Sequence, residues 1–315
     1  MKEALHFPGG RETFFMYFGE LQEALNTVQK AGDIKLSIAN AIWAEKSYKF
    51  LPDFLNLVKK EYKSKISSAD FVGNAEAEAK AINSWVEKQT NDKITNIIPP
   101  GVLDASTRMV LVNAIYFKGD WASQFKKDHT RERVFHITAE EKIRAKMMTQ
   151  KGKFRMAEDS DTQALEMLYK GDELSMLVLL PKQYDGISKL KEMLTVEKLS
   201  DLVNTLRKTT VEVTFPKFKV ETSYDLIPHF MSLGMKDAFT GVADFSGMDG
   251  TGNLYISGIL HKAFVEVDEK GTEAAAATVI GVGTTVSEKR RRHLRFFNAD
   301  HPFLFLIRDN ATGSI

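Results

Sequence analysis

The chain contains no Cys, so any nucleophile or acid–base group must be a hydroxyl, an imidazole, a Lys amine or a carboxylate. That absence excludes disulfides, thiol catalysis and thiolate-held metal. The seven His are scattered, and none pairs with another at metal-ligand spacing. His261 stands beside the apolar run Ala263-Phe264-Val265, where a hydrogen-bonded structural histidine is the plain reading. No P-loop, dinucleotide glycine fingerprint or His-Glu-x-x-His helix is present. Phe245-Ser246-Gly247 does not complete a Gly-x-Ser-x-Gly elbow. The sequence nominates no catalytic residue, no metal ligand and no cofactor.

One stretch does ask for an explanation. Residues 268–285 read Asp-Glu-Lys-Gly-Thr-Glu-Ala-Ala-Ala-Ala-Thr-Val-Ile-Gly-Val-Gly-Thr-Thr. Ala274, Ala275, Ala276 and Ala277 favour helix. The β-branched Val279, Ile280 and Val282, with Gly281 and Gly283, do not. Beyond Glu273 the segment is small and uncharged. It could be exposed in one state and accepted as a buried strand in another, because small side chains avoid overpacking penalties of about 1–3 kcal/mol each. Gly271 supplies a backbone hinge.

The elements that must position this stretch read as α+β. From Pro52, residues Phe54, Leu55, Val58 and Tyr62 recur at helical spacing, and Asn74 can cap a helix that places Ile82, Trp85 and Val86 on one face. Leu36 to Trp43 is an apolar run carrying Asn40. Met109 to Phe117 and Leu174 to Leu180 suit strands buried on both faces. Val211, Val213 and Phe215 alternate with polar residues, as do Phe264, Val265 and Val267 less strictly, as in half-buried strands. Helices come mostly early and strands later, which predicts large sheets. No linker or repeat divides the 315 residues, so a single domain is expected. With 43 basic against 42 acidic residues the net charge of +1 gives no steer toward nucleic acid or a membrane surface. No apolar run reaches the roughly 18 residues of a membrane span.

Glu269-Lys270-Gly271-Thr272-Glu273-Ala274-Ala275-Ala276-Ala277-Thr278 resembles the reactive-loop hinge of inhibitory serpins. Asn113-Ala-Ile-Tyr-Phe-Lys-Gly-Asp-Trp121, with Phe125 and Thr130, is similar to the serpin strand beneath the insertion site. Ile82-Asn-Ser-Trp85-Val with Thr90, Lys93 and Ile94 looks like the helix and turn that cover that sheet. Phe215-Pro-Lys-Phe218, Tyr224-Asp-Leu226, Leu233-Gly-Met-Lys-Asp-Ala-Phe239, Asp244-Phe-Ser-Gly247 and Ala299-Asp-His-Pro-Phe-Leu-Phe305 follow in family order. The chain is identified by this resemblance as a member of the serpin family.

The resemblance implies a fold of three β-sheets with surrounding helices and an exposed reactive loop. It implies an inhibitor rather than an enzyme, with a non-inhibitory serpin (carrier, chaperone or storage protein) as the alternative: a proteinase attacks the loop, and the loop's N-terminal part inserts as a strand in the main sheet. The partner is a serine or papain-like cysteine proteinase, with the inhibitor monomeric and loop-sheet polymers an accessible side product. Asn113 and His261 would stand where strands part, Trp121 where the loop first enters, and Lys217 and Glu269 would form a salt bridge there. In a strand, Thr272, Ala274, Ala276 and Thr278 share one face and Glu273 takes the other. Counting seventeen residues inclusively from Glu269, as the family does, gives Thr285–Val286 as the scissile bond. Lys289-Arg290-Arg291-Arg292 reads as a solvated flank of the loop, and cleavage there by a trypsin-like or furin-like enzyme is the alternative. The family favours the extracellular space and leaves the cytoplasm open. Compared with the family, Met1-Lys-Glu-Ala-Leu-His resembles a third helix already under way and Asn310 to Ile315 the turn before a last strand. Both ends are therefore expected to be truncated.

Overall fold

The computed structural model describes residues 3–7, 17, 19–21, 34–61, 65–271 and 294–315. The chain divides into two units: Met1–Thr27, Lys35–Phe117 and Val220–Val265 form the first, and Val28–Ile34, Lys118–Lys219 and Glu266–Ile315 the second.

The first unit carries most of a five-stranded sheet. Its strands are β1 (Ile34–Glu45), β2 (Lys65–Ala69), β3 (Met109–Gly119), β9 (Phe218–Asp225) and β10 (Leu260–Val267), in the order β2-β1-β3-β10-β9. Helix α1 (Pro52–Glu61) follows the period expected from Pro52 onward. Helix α2 (Phe71–Gln89) starts earlier than Asn74, because Asp70 caps it by accepting from Gly73 N at 2.9 Å. Asn74 then leaves helical geometry and caps again, its Oδ1 accepting from Ala77 N at 3.2 Å. Ile82 and Val86 of α2 meet Val112, Ala114 and Tyr116 of β3 and Phe264 of β10 in one buried cluster. Asn83 ties the following segment to the helix, donating to Ile98 O and accepting from Ile98 N, both at 2.9 Å. β3 departs from the expectation of burial on both faces. Its face toward α2 is buried, whereas Leu111 on the other is 60% exposed.

The second unit holds β4 (Arg131–His136), β5 (Lys142–Glu158), β6 (Thr162–Leu168), β7 (Leu174–Pro181), β8 (Arg207–Pro216), β11 (Arg295–Asn298) and β12 (Leu304–Asp309). They pair in the order β11-β8-β5-β6-β7-β12, with β4 branching from β5. One long strand joins what a three-sheet description separates: β5 gives its first residues to β4 and its last to β6, and pairs β8 between. β7 is buried along all 8 residues, as its uninterrupted apolar run predicts. Helices α3 (Ile187–Met193) and α4 (Val196–Thr205) lay Leu190 and Leu202 against Ala157, Ala164, Leu177 and Leu179. Two short α-helices, α5 (Ile227–Ser232) and α6 (Ser246–Asp249), lie in the first unit.

Candidate functional site

β10 runs parallel to β3 with no strand between them, from Leu260 opposite Val112 to Phe264 opposite Tyr116. Immediately past β10 the chain reverses in a tight turn. Asp268 N donates to Gly271 O at 2.7 Å and Gly271 N to Asp268 O at 3.2 Å. Asp268 Oδ1 steadies the turn by accepting from Lys270 N at 2.9 Å. Gly271 then makes an antiparallel bridge to Asp120, and Trp121 N donates to Lys270 O at 2.6 Å. Only glycine fits here: φ is +143°, and a Cβ would lie 2.1 Å from Gly119 O and 2.7 Å from Trp121 N.

Glu269 sits in the middle of that turn, 4% exposed. Lys217 Nζ donates to its Oε2 at 2.7 Å and Thr130 Oγ1 to its Oε1 at 2.8 Å. Lys217 is delivered by the end of β8, where Phe215 and Phe218 are held among Phe303 and Phe305 at centroid separations of 5.2 to 6.1 Å. Burial alone would push the Glu269 carboxyl up. The Lys217 and Thr130 donors and a backbone N–H more than offset it, so the group lies below the ordinary carboxylate range. Trp121, 1% exposed, stacks on Tyr169 at 4.6 Å and donates from Nε1 to Asp268 O at 3.1 Å. Thus Trp121, Lys217, Glu269, Lys270 and Gly271 come together around one reversal. Thr130 completes it, a partner no spacing rule would have selected.

A second polar group lies in the first unit, on neighbouring strands. Asn113 Nδ2 donates to Asn40 Oδ1 at 2.8 Å, which leaves Asn113 Oδ1 as an acceptor 2.9 Å from His261 Nδ1. His261 must therefore carry its proton on Nδ1. Burial lowers its pKa, which keeps the ring neutral at pH 7. His261 and Asn113 are direct partners in the β10–β3 register, and Asn40 extends the chain of hydrogen bonds to β1. His261 is thus a hydrogen-bonded histidine between neighbouring strands, as its place beside Ala263-Phe264-Val265 predicts.

The rest of the expected site, Thr272 to Thr278, Thr285, Val286 and Lys289 to Arg292, lies outside the described residues. No three His, Asp or Glu gather as a metal site among the described residues.

The family model for Serpin (serine protease inhibitor) matches residues 1–315. Serpin B3 of Homo sapiens is 47% identical over 302 residues, spanning 94% of this chain and 76% of that protein. Leukocyte elastase inhibitor of Xenopus laevis is 41% identical over 322 residues, spanning 100% and 84%. The solved structure of uncleaved ovalbumin superposes with a TM-score of 0.82 at 35% identity, covering 93% of this chain and 79% of that one. The chain belongs to the serpin family, and its α+β architecture is the serpin fold. These relatives lend no support to an extracellular assignment.

Proposed function

We propose that this chain inhibits a proteinase by offering the segment after Gly271 as bait and inserting it, once cut, between β10 and β3. The supporting observation is the reversal at Asp268–Gly271. A chain leaving that turn in register with the Asp120–Gly271 bridge runs antiparallel to both parallel neighbours. Insertion would exchange one parallel ladder for two antiparallel ones, which pair slightly better per residue. Continuing the register places Ala274, Ala276 and Thr278 opposite Phe117, Ile115 and Asn113, and Glu273 opposite Lys118. The small residues and the lone acid thus fall where a strand can accept them. Asn113 and His261 act in this reading as the polar latch of the closed seam, and Trp121, Lys217 and Glu269 as the clamp on the turn. The chain is a substrate that traps its enzyme, not an enzyme.

The test incubates the full chain with elastase-like, chymotrypsin-like, trypsin-like and papain-like proteinases. SDS-stable complexes with one class, and a released peptide beginning at Val286, support the reading. Cleavage by every enzyme without a complex defeats it and leaves a non-inhibitory serpin, a kind that exists in the family. Thr272→Arg separates insertion from cleavage: a buried unpaired charge opposes the inserted strand, so the variant should be cut at the same rate with complex yield reduced at least about tenfold.

A further inference from the structure

We infer that the outward face of β5, β8 and β11 is a docking surface for an acidic patch on the target proteinase, an inference that rests on the inhibitory reading above. β11 begins two residues after position 293, so it anchors the C-terminal end of the proposed bait segment. The registers align Phe296 with Glu212 and Lys151 in one row, Thr210 with Lys153 in the next, and Lys208 with Arg155 in the third. Alternation separates the two faces cleanly. Val211, Val213 and Phe297 are fully buried, whereas Lys151, Lys153, Arg155 and Lys208 are exposed and Phe296 is 54% exposed.

Charge on this face is uneven. Arg155 is tied to the buried Glu166, Nη1 to Oε2 at 2.8 Å. Lys151, Lys153 and Lys208 form no ion pair among the described residues, and Glu212 is the one acid in the three rows. Alternate residues on a strand stand about 6.8 Å apart and neighbouring strands about 4.8 Å. Three lysines outside any ion pair, set against the one carboxylate of Glu212, and an exposed phenylalanine therefore share an area about 15 Å across. An enzyme gripping the bait beside β11 is held over this area. Lysines at such a place raise the encounter rate with an acidic partner and lower it with a basic one. Phe296 supplies an apolar anchor of the type that dominates interface energies.

The test uses the anionic and the cationic isoforms of trypsin, whose preference for Lys and Arg suits Lys289 to Arg292, each with its catalytic serine changed to alanine. Association rates of the full chain are measured by surface plasmon resonance. Lys151→Glu/Lys153→Glu should slow the anionic isoform about tenfold and leave the cationic one unchanged or faster, with the difference collapsing at about 0.5 M salt. Lys208→Glu alone should move the same way by a smaller factor. Lys59→Glu/Lys88→Glu, an equal charge change on α1 and α2, should alter neither rate by more than about twofold. Equal slowing of both isoforms, or no slowing, overturns the docking surface. Inactive enzymes cannot acylate, so docking is read apart from trapping. If active trypsin leaves cleaved chain without SDS-stable complex, trapping at Lys289 to Arg292 fails, while the rate comparison still decides docking and the Thr285–Val286 bond is judged by the elastase-like enzymes above.

Discussion

Replacing Lys217 by Ala removes the ammonium 2.7 Å from Glu269 Oε2 and leaves the carboxylate with Thr130 as its side-chain donor. Two unit charges at that separation attract by about 6 kcal/mol at an effective dielectric of about 20. Desolvation cancels most of this. Glu269 is buried but the Lys217 side chain is 33% exposed, so the pair lies between exposed bridges worth about 0–1 kcal/mol and broken buried pairs costing about 3–5 kcal/mol. A loss of about 2 kcal/mol at pH 7 is expected, roughly a thirtyfold change in the folding equilibrium. The pH profile carries a sign. In the native chain the Glu269 pKa is depressed, so its contribution is present above the unfolded carboxylate pKa and lost as pH falls through the folded value. In Lys217→Ala burial is opposed only by Thr130 and a backbone N–H, so that pKa rises relative to the native chain, and the penalty is largest at neutral pH and eases as the group takes a proton. Urea unfolding followed by tryptophan fluorescence at pH 7 and pH 5 should show the gap narrowing. Adding Glu269→Gln to Lys217→Ala should restore stability at pH 7. A gap that stays constant with pH, or a double variant no better than the single, refutes the assignment of a buried, charge-compensated clamp.

Glu45 offers an independent test in the first unit. Its carboxyl is 2% exposed and is lowered to about 2, first by the Ser47 hydroxyl, against burial, and then by the backbone N–H groups of Ser47, Val72 and Phe71. Glu45→Gln should lower stability by about 2 kcal/mol at pH 7 and flatten the acid limb between pH 4.5 and 2, followed by circular dichroism. Gly271→Ala forces a Cβ onto Gly119 O; it should cost more than about 2 kcal/mol and abolish SDS-stable complexes while the chain is still cut. Glu269→Lys sets two ammonium groups together and should loosen the turn, raising the amount of oligomer on a native gel after heating, because an opened seam accepts another chain's strand. No rise in oligomer counts against that role.

How much of this could be read from sequence depends on how far apart the partners lie. β7 announces itself by its dense apolar run and α1 by its helical period, and Gly271 by its place beside small residues. Asn74 was legible as a cap, but Asp70 starts the helix one turn earlier, because two capping residues four apart compete and packing of Phe71 decides. Glu45 has one local partner in Ser47, but its link to Phe71 N–H, 26 residues away, carries no sequence signal. Thr130 meets Glu269 across 139 residues, and Asn40 meets Asn113 across 73. The exposed side of β3 is hidden in the sequence because a mostly apolar run looks the same whether one face or two are covered. The lysine rows on β5 and β8 are invisible until the register brings Lys208 beside Arg155.

The bridge at Gly271 also acts as a ruler. If the proposed insertion continued its register down the 11 residues of β3, Val282 would come opposite Met109 and the inserted stretch would measure about 37 Å at about 3.4 Å per residue. An enzyme bonded to Thr285 would then hang on a leash of three residues beyond the last ladder rung. One bonded to Arg292 would have ten, long enough to swing clear of the inhibitor in the proposed mechanism. Leash length, rather than side-chain preference alone, thereby discriminates between the two candidate bonds, and shortening the 279–285 segment residue by residue would tighten it by a known distance at each step.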